Sequence, residues 1–507
     1  MTATKPIKKI LIANRGEIAV RVIRAAKELG IQTVAVFSDA DQFSLHVKLA
    51  DFAVRLPGNT SAETYLNVPV LVKAIKESQA DAVHPGYGFL SENADFVDAV
   101  TMAGAKFIGP SAKAMRLMGD KIAAKRLMKE HKVPCTPGSE GPLKDLNDLQ
   151  NHAKTVGYPM ILKATAGGGG RGMRVVRTDA DLAEAFAACT REAISYFGNP
   201  AVFCEKYIEN PRHIEVQVLF DEQGNGVHLF ERDCSVQRRH QKLIEEAPSS
   251  YLSHDQRMEI GRRAVTAAKA AGYASAGTIE FICESPDHVY FMEMNTRIQV
   301  EHTVSEEITN IDLVKWQIRV AQGEVLSMKQ EDIKLRGWAI EARINAEDPA
   351  KGFLPSPGVV SSVRFPSGPG IRIESHLYPG YEIPQYYDSM VAKLIVWGED
   401  RKTAMARLNR ALGEFEIAGV PTTAKFHEAV LRHPIFIDGK MTTSFVEKEA
   451  DFFKQEFLKV QSEDVDVAAL LAAVFAADDQ NLSQSGTLAN SDSVGLRSRW
   501  FDSARHV

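Results

Sequence analysis

Apolar positions recur along the chain with two different periods, and each switch of period marks a change of element. Lys9–Ala13 (KILIA) is a short apolar run closed by Asn14-Arg15-Gly16. From Glu17 to Leu29 the apolar residues Ile18, Val22, Ile23 and Ala26 follow helical spacing. Thr33–Phe37 reads as a second strand, and Ala80–Val83 with the loop His84-Pro85-Gly86-Tyr87-Gly88 as a further strand and turn. Strands alternating with helices predict a doubly wound parallel sheet over residues 1–119. A helix at 120–131 opens a second region, punctuated by Pro134 and Pro137, that runs to 330. Between 336 and 450, the strands Gly337–Ile344, Val359–Phe365, Ile371–Ser375 and Met390–Val396 precede the helix Arg401–Phe415, which predicts mixed α/β structure with an antiparallel sheet. In the tail, 451–507, residues 463–478 read as an Ala-rich helix and 479–494, rich in Ser, Asn, Asp and Gln, as disordered.

Length agrees with this division, since 507 residues make roughly three domains. The net charge of −5 speaks against a nucleic-acid partner, so local basic clusters are expected to serve small anions. Five cysteines without a Cys-x-x-Cys pair predict neither a disulfide framework nor a zinc site, as in a reducing cytoplasm. The N-terminus lacks an apolar signal core and no uninterrupted apolar run is long enough to span a membrane. A cytoplasmic α/β enzyme is the expectation.

Two segments carry chemistry. Tyr158–Val176 reads as strand, glycine loop, strand: Lys163 precedes Gly167, Gly168, Gly169 and Gly170, and Met173–Val176 follows. A dinucleotide fingerprint opens a helix after its glycines, and a Walker loop ends in Gly-Lys-Ser/Thr; neither order occurs here. A glycine hairpin folding over a triphosphate suits the pattern, because bare backbone amides approach phosphate closely. A mobile surface hairpin is the bland alternative. The second segment pairs Gly277–Ile282 with Val289–His302 around the turn Ser285-Pro286-Asp287. Each strand sets a carboxylate, Glu280 or Glu293, among apolar residues. Glu293, Asn295, Arg297, Gln299 and Glu301 recur at every second position, so an extended chain turns all five to one face. Burying such a face without function is costly. The hard oxygen donors Glu280, Glu293 and Asn295 suit magnesium on nucleotide phosphates; an amphipathic edge strand is the alternative.

These segments resemble the ATP-grasp family and, within it, the biotin carboxylases, over about residues 5–450. The runs that carry the resemblance are Lys9–Val20, His84–Asn93, Ile161–Val176, Glu209–Val218, Glu231–Pro248, Glu293–His302, Ala342–Pro349 and Phe353–Gly358. The resemblance implies an N-terminal doubly wound domain, a central ATP-grasp domain with a mobile lid at about 136–206, and a C-terminal mixed α/β domain. It implies ATP-dependent carboxylation of biotin by bicarbonate, through carboxyphosphate. ATP falls to Lys121, Lys163, Gly168, Gly169, Gly170, Glu205, Lys206, Ile208, His213, Gln237, His240, Glu280 and Glu293. Two magnesium or manganese ions fall to Glu280, Glu293 and Asn295, and bicarbonate to Lys242, Arg297, Gln299, Val300 and Glu301. Glu301 is the implied base and Arg343 the implied stabiliser of the biotin oxyanion, with Arg297 and Lys242 completing the catalytic set. Taken singly, Lys121 reads as a surface lysine, His213 and His240 as structural histidines, Arg343 as an ion-pair partner and Arg238-Arg239-His240 as a solvated basic face; the intact runs shift them towards function.

No Ala/Val-Met-Lys-Met acceptor motif occurs, so the biotin is expected on a separate biotin carboxyl carrier protein, with carboxyltransferase subunits completing the reaction. Acetyl-CoA carboxylase, supplying malonyl-CoA for fatty acid synthesis, is the expected context; propionyl-CoA and pyruvate carboxylases use similar subunits. A homodimer is expected, although Ser367-Gly368-Pro369-Gly370 sets Pro369 where some bacterial homodimers have an aromatic; Arg24 and Glu28 are candidate interface charges. The tail and Trp500 faintly resemble the segment that follows this module in longer acyl-CoA carboxylases. Rival readings are an amine-adding ATP-grasp ligase and a silent, ATP-sensing interaction protein.

Overall fold

Strand β1 (Lys9–Ile12) is buried on both faces, and the chain then turns into helix α1 (Gly16–Glu28) within three residues. Gly16 makes that turn at φ +67°, a conformation that costs glycine little. The helix buries Ile18, Val22 and Ile23 against Ile10 and Ile12, at about 1.5–3 kcal/mol for each large side chain. Strands β2 (Gln32–Phe37), β3 (Phe52–Arg55), β4 (Ala82–His84) and β5 (Lys106–Phe107) complete an all-parallel sheet in the order β3-β2-β1-β4-β5. Order reverses at β1, as expected for a doubly wound sheet, and the crevice at such a switch point is where ligands bind. Asn14 sits there, its side-chain amide donating to the carbonyls of Pro85 and Tyr87, both at 2.7 Å.

The computed structural model describes residues 6–165 and 172–459. Residues 6–450 lie in one compact unit and 451–459 in a second. The expected Ala-rich helix at 463–478 and disorder at 479–494 lie outside the described residues.

Helix α2 (Lys121–Glu130) follows, capped by Asp120, whose carboxylate accepts from the Ile122 and Ala123 amides. A small antiparallel sheet comes next, from β6 (Met160–Ala164), β7 (Met173–Val176) and β8 (Val202–Lys206) in the order β7-β6-β8. It has its own core of Leu149, Met160, Leu162, Val176 and Leu182. The β6–β7 hairpin brackets the glycine run; Gly168, Gly169 and Gly170 themselves lie outside the described residues.

The largest layer is an antiparallel sheet of β9 (Arg212–Phe220), β10 (Gly226–Arg238), β11 (Gln241–Ala247), β12 (Ser275–Ser285), β13 (His288–Asn295), β14 (Trp338–Asn345), β15 (Ile371–Ser375) and β16 (Met390–Gly398). Their order is β13-β12-β9-β10-β11-β14-β16-β15. The last three strands thus extend the sheet begun by the second region, because β14 pairs directly with β11. The expected strand Val359–Phe365 is instead two short pieces, Gly358–Val359 and Ser362–Arg364, paired to different partners.

One expectation fails in detail. The chain does not stay extended from Glu293 to Glu301: β13 ends at Asn295, a bend and a turn follow, and Glu301 is the N-cap of helix α3 (His302–Thr309). Glu92 enforces the bend by accepting from the Thr296 amide at 3.1 Å and from the Arg297 guanidinium at 2.9 Å.

Candidate active site

A cleft of about 1200 Å³ lies where the parallel sheet, the small sheet and the large sheet meet. Every sequence-predicted site residue within the described residues lines it: Lys121, Lys163, Glu205, Lys206, Ile208, His213, Gln237, His240, Lys242, Glu280, Glu293, Asn295, Arg297, Gln299, Val300, Glu301 and Arg343. Arg297, Gln299 and Glu301 reach it from the bent loop after β13 rather than from a strand face.

One end is basic. Lys163 on β6 donates to Glu205 on β8 at 2.8 Å, and Lys125 on α2 contacts the other oxygen of the same carboxylate. Burial and Lys163 lower Lys125 to about 7, and burial and Lys121 lower Lys163 to about 8, even with Glu205 in contact with both. Two lysines on one glutamate, with Lys121 near by, suit this end to an anion. Apolar side chains, Ile161, Phe203, Ile208 and Phe291, line the cleft beside them, which suits a flat base.

The other end is built by cross-strand register. Glu215 on β9, Glu280 on β12 and Glu293 on β13 stand opposite one another in adjacent strands. Lys242 on β11 reaches over them, its ammonium 2.5 Å from Glu215, 3.2 Å from Glu280 and 2.6 Å from Glu301. Arg343 on β14 is 2.9 Å from the second oxygen of Glu301 and donates through Nε to Glu245 at 2.6 Å. Burial opposes the charge on Glu301, but Lys242, Arg343 and Arg232 outweigh it and hold this carboxyl well below the usual range. Glu280 behaves alike: burial raises it, and Lys242 and His213 bring it well below. Lys242 is discharged by burial in principle, yet Glu215, Glu280 and Glu301 raise it well above an ordinary lysine.

Glu293 moves the other way: burial and the facing Glu280 raise its pKa. Two adjacent carboxylates, one buried and one half-buried, with the Asn295 amide beside them, its nitrogen 2.7 Å from Glu280, form a hard-oxygen set that a divalent cation would relieve. His213, Glu215 and Glu280 also bring possible ligand atoms within 4.8 Å of one another, but the Lys242 ammonium already contacts both carboxylates.

Arg239 and His240 form the two-residue link between β10 and β11, both at positive φ (48° and 66°). Non-glycine residues pay strain for such a turn, which turns His240 into the cleft wall.

Several members of this end were not picked out by sequence. Glu215 and Arg232, both fully buried, are joined at 2.6 Å, and Arg232 also donates to Gln299 at 2.8 Å. The alternation His213, Glu215, Gln217 was a usable signal for Glu215; nothing short of strand register reveals Arg232 or Glu245. Glu17 and Tyr87, hydrogen-bonded to each other, form the wall from the parallel-sheet side.

Three family models match in tandem: "Biotin carboxylase, N-terminal domain" over residues 6–115, "Carbamoyl-phosphate synthase L chain, ATP binding domain" over 120–329, and "Biotin carboxylase C-terminal domain" over 341–448. Biotin carboxylase 1 of Bacillus subtilis is 53% identical over 442 residues, covering 87% of this chain and 98% of that protein. The chain belongs to the biotin carboxylase family. It is an ATP-dependent ligase. The solved biotin carboxylase domain dimer of Hydrogenobacter thermophilus 2-oxoglutarate carboxylase, in complex with MgADP, ADP and bicarbonate, superposes with a TM-score of 0.83 at 51% identity, covering 89% of this chain and 99% of that one. The solved structure of Rhizobium etli pyruvate carboxylase superposes with a TM-score of 0.83 at 45% identity, covering 89% of this chain and 41% of that longer one. Among the described residues, no helix of this biotin carboxylase is long and apolar enough to cross a membrane.

Proposed function

We propose that the cleft phosphorylates bicarbonate with ATP and transfers the resulting carboxyl group to biotin held on a separate carrier protein. The observation that carries this reading is the placement of Glu301 between Lys242 and Arg343, 2.6 and 2.9 Å away, in the acidic end of the cleft. Lys121 and Lys163 bind the nucleotide phosphates, Gly168, Gly169 and Gly170 belong to the same ATP set, and Glu205, Lys206 and Ile208 border the base. His213, Gln237 and His240, which also line the cleft, contact the ribose or phosphate region. Glu280, Glu293 and Asn295 hold two magnesium or manganese ions, which when bound offset phosphate charge during transfer.

Arg297 and Lys242 hold the bicarbonate anion, with Gln299 and Val300 completing its pocket. As the anion takes a share of Lys242, Glu301 loses part of the charge that depresses its pKa, and its basicity rises where a proton must be removed. Carboxyphosphate then releases CO2 and phosphate; that phosphate takes the proton of the biotin ureido nitrogen, and the nitrogen's electron pair forms the N–C bond to CO2. Arg343 stabilises the ureido oxyanion. The small sheet, about residues 136–206, acts as a lid that keeps water out.

The acceptor context we favour is acetyl-CoA carboxylase, with a biotin carboxyl carrier protein and carboxyltransferase as partners in the cytoplasm. The pyruvate and 2-oxoglutarate carboxylases among the related proteins keep other acceptors in view. A homodimer through the face bearing Arg24 and Glu28 is part of the same proposal; these pair within the chain with Glu374 at 3.6 Å and Lys315 at 2.5 Å. The deciding assay is ATP cleavage with bicarbonate, with and without free biotin. Cleavage that needs bicarbonate and rises with biotin supports the reading; cleavage indifferent to both, or needing an amine, overturns it.

A further inference from the structure

Lys393 lies beneath the reaction end without lining the cleft. It is 0% exposed, and burying an ammonium is expensive unless it is paired. Its shortest contact is to a backbone atom: Nζ donates to the Val300 carbonyl at 2.6 Å. The carboxylates of Glu17 and Glu341 stand farther off, at 3.6 and 4.0 Å, and each already accepts from a hydroxyl, of Tyr87 and Thr303 respectively.

Register explains how the lysine is tolerated. On one face of the large sheet Glu341 stands opposite Glu245, and Lys393 opposite Arg343. Glu374 on β15 faces Lys393 from the other side, so one direct neighbour of the lysine carries unlike charge, and further unlike charges meet on the diagonals, Arg343 with Glu245 and Lys393 with Glu341. Burial and its acidic neighbours raise Glu341 to about 6, although Lys393 pulls it down.

The turn that Lys393 touches holds the anion in the reading above. Gln299 is fixed by Arg232 and Glu280, and Glu301 by Lys242 and Arg343. Between them lies the Val300 carbonyl, which Lys393 holds. Its peptide is planar and trans, so anchoring the Val300 oxygen also orients the Glu301 N–H in the opposite direction.

We propose that Lys393 is a positioning residue for the one-carbon anion: its bond to the Val300 carbonyl sets the Gln299–Glu301 turn and so places both the anion pocket and the base. This rests on the functional reading above.

The test compares Lys393→Met with the charge-balanced pair Lys393→Met/Glu341→Gln in the full chain, measuring KM for bicarbonate and for ATP in bicarbonate-dependent ATP cleavage. The double variant removes one positive and one negative charge, which guards against collapse of the fold; its melting temperature is expected within about 5 °C of the parent. Both variants should raise the bicarbonate KM about tenfold and leave the ATP KM within about twofold. A double variant with the parental bicarbonate KM overturns the proposal, because Lys393 would then serve charge balance alone. Equal rises in both constants overturn it too. An unsubstituted chain that cleaves ATP without bicarbonate overturns the functional reading and this proposal with it, and so is told apart from a failure of Lys393.

Discussion

The two ends of the cleft hold charge in opposite ways. At the basic end, Lys163 and Lys125 share the Glu205 carboxylate, and burial with repulsion from neighbouring lysines brings them down to about 8 and about 7. That end is under-compensated and gains by receiving a polyanion. At the acidic end, Lys242 and Arg343 are already matched by Glu215, Glu280, Glu301 and Glu245, and their charge is reinforced rather than weakened. The first end rests on a small three-stranded sheet; the second grows from the centre of the large sheet. Binding is assigned to the charge-hungry end and bond-making to the pre-arranged one, where dipoles need no reorganisation.

The sharpest way to break this contrast is at Glu301. Glu301→Gln removes the proposed base and the shared partner of Lys242 and Arg343, with little change in volume. Carboxylation is expected to fall about 10²–10⁴-fold while ATP affinity, set at the other end, stays within about threefold. Turnover near that of the parent removes Glu301 from the role of base.

Arg343→Ala separates the two half-steps. Biotin carboxylation is expected to fall about 10²–10³-fold, and bicarbonate-dependent ATP cleavage much less, because the guanidinium acts on the ureido oxygen. Equal losses would place Arg343 with the anion instead. Glu293→Ala should then shift the magnesium titration: half-saturation rises about 10–100-fold, and the nucleotide KM follows only at low metal. An unchanged titration contradicts ligation by Glu293.

What could be read from the sequence divides along the same line. Glu280 and Glu293 were legible because each interrupts an apolar strand and a short turn joins the two, which fixes their pairing locally. Lys163 was legible from its place before the glycines. Arg232, Glu245 and Lys393 were not: each meets its partners across strands 15 to 98 positions away in the chain, and that register is invisible in one sequence. The continuous alternation from Glu293 to Glu301 misled for the same reason. Its polar residues do converge, but through a bend that Glu92, 204 positions before Thr296, imposes on Thr296 and Arg297. The fold class was readable because periodicity is local; the joining of β14, β15 and β16 to the strands of the second region was not.

The smallest predicted effect tests the basic end by pH. Lys163 is lowered to about 8, so its amine is charged below that pH and progressively neutral above it. A bound triphosphate favours the charged form, and nucleotide binding above pH 8 must therefore take up a proton. The ATP KM should rise as pH increases from about 8 to 9, by at most about tenfold per unit. Lys125, lowered to about 7, starts a shallower rise earlier. Lys163→Met should weaken ATP binding below pH 8 and flatten the upper part of the profile, since the titrating group is gone. If the variant keeps the parental slope, the amine is not what the phosphates meet, and the basic end owes its affinity to Lys121 and the backbone instead.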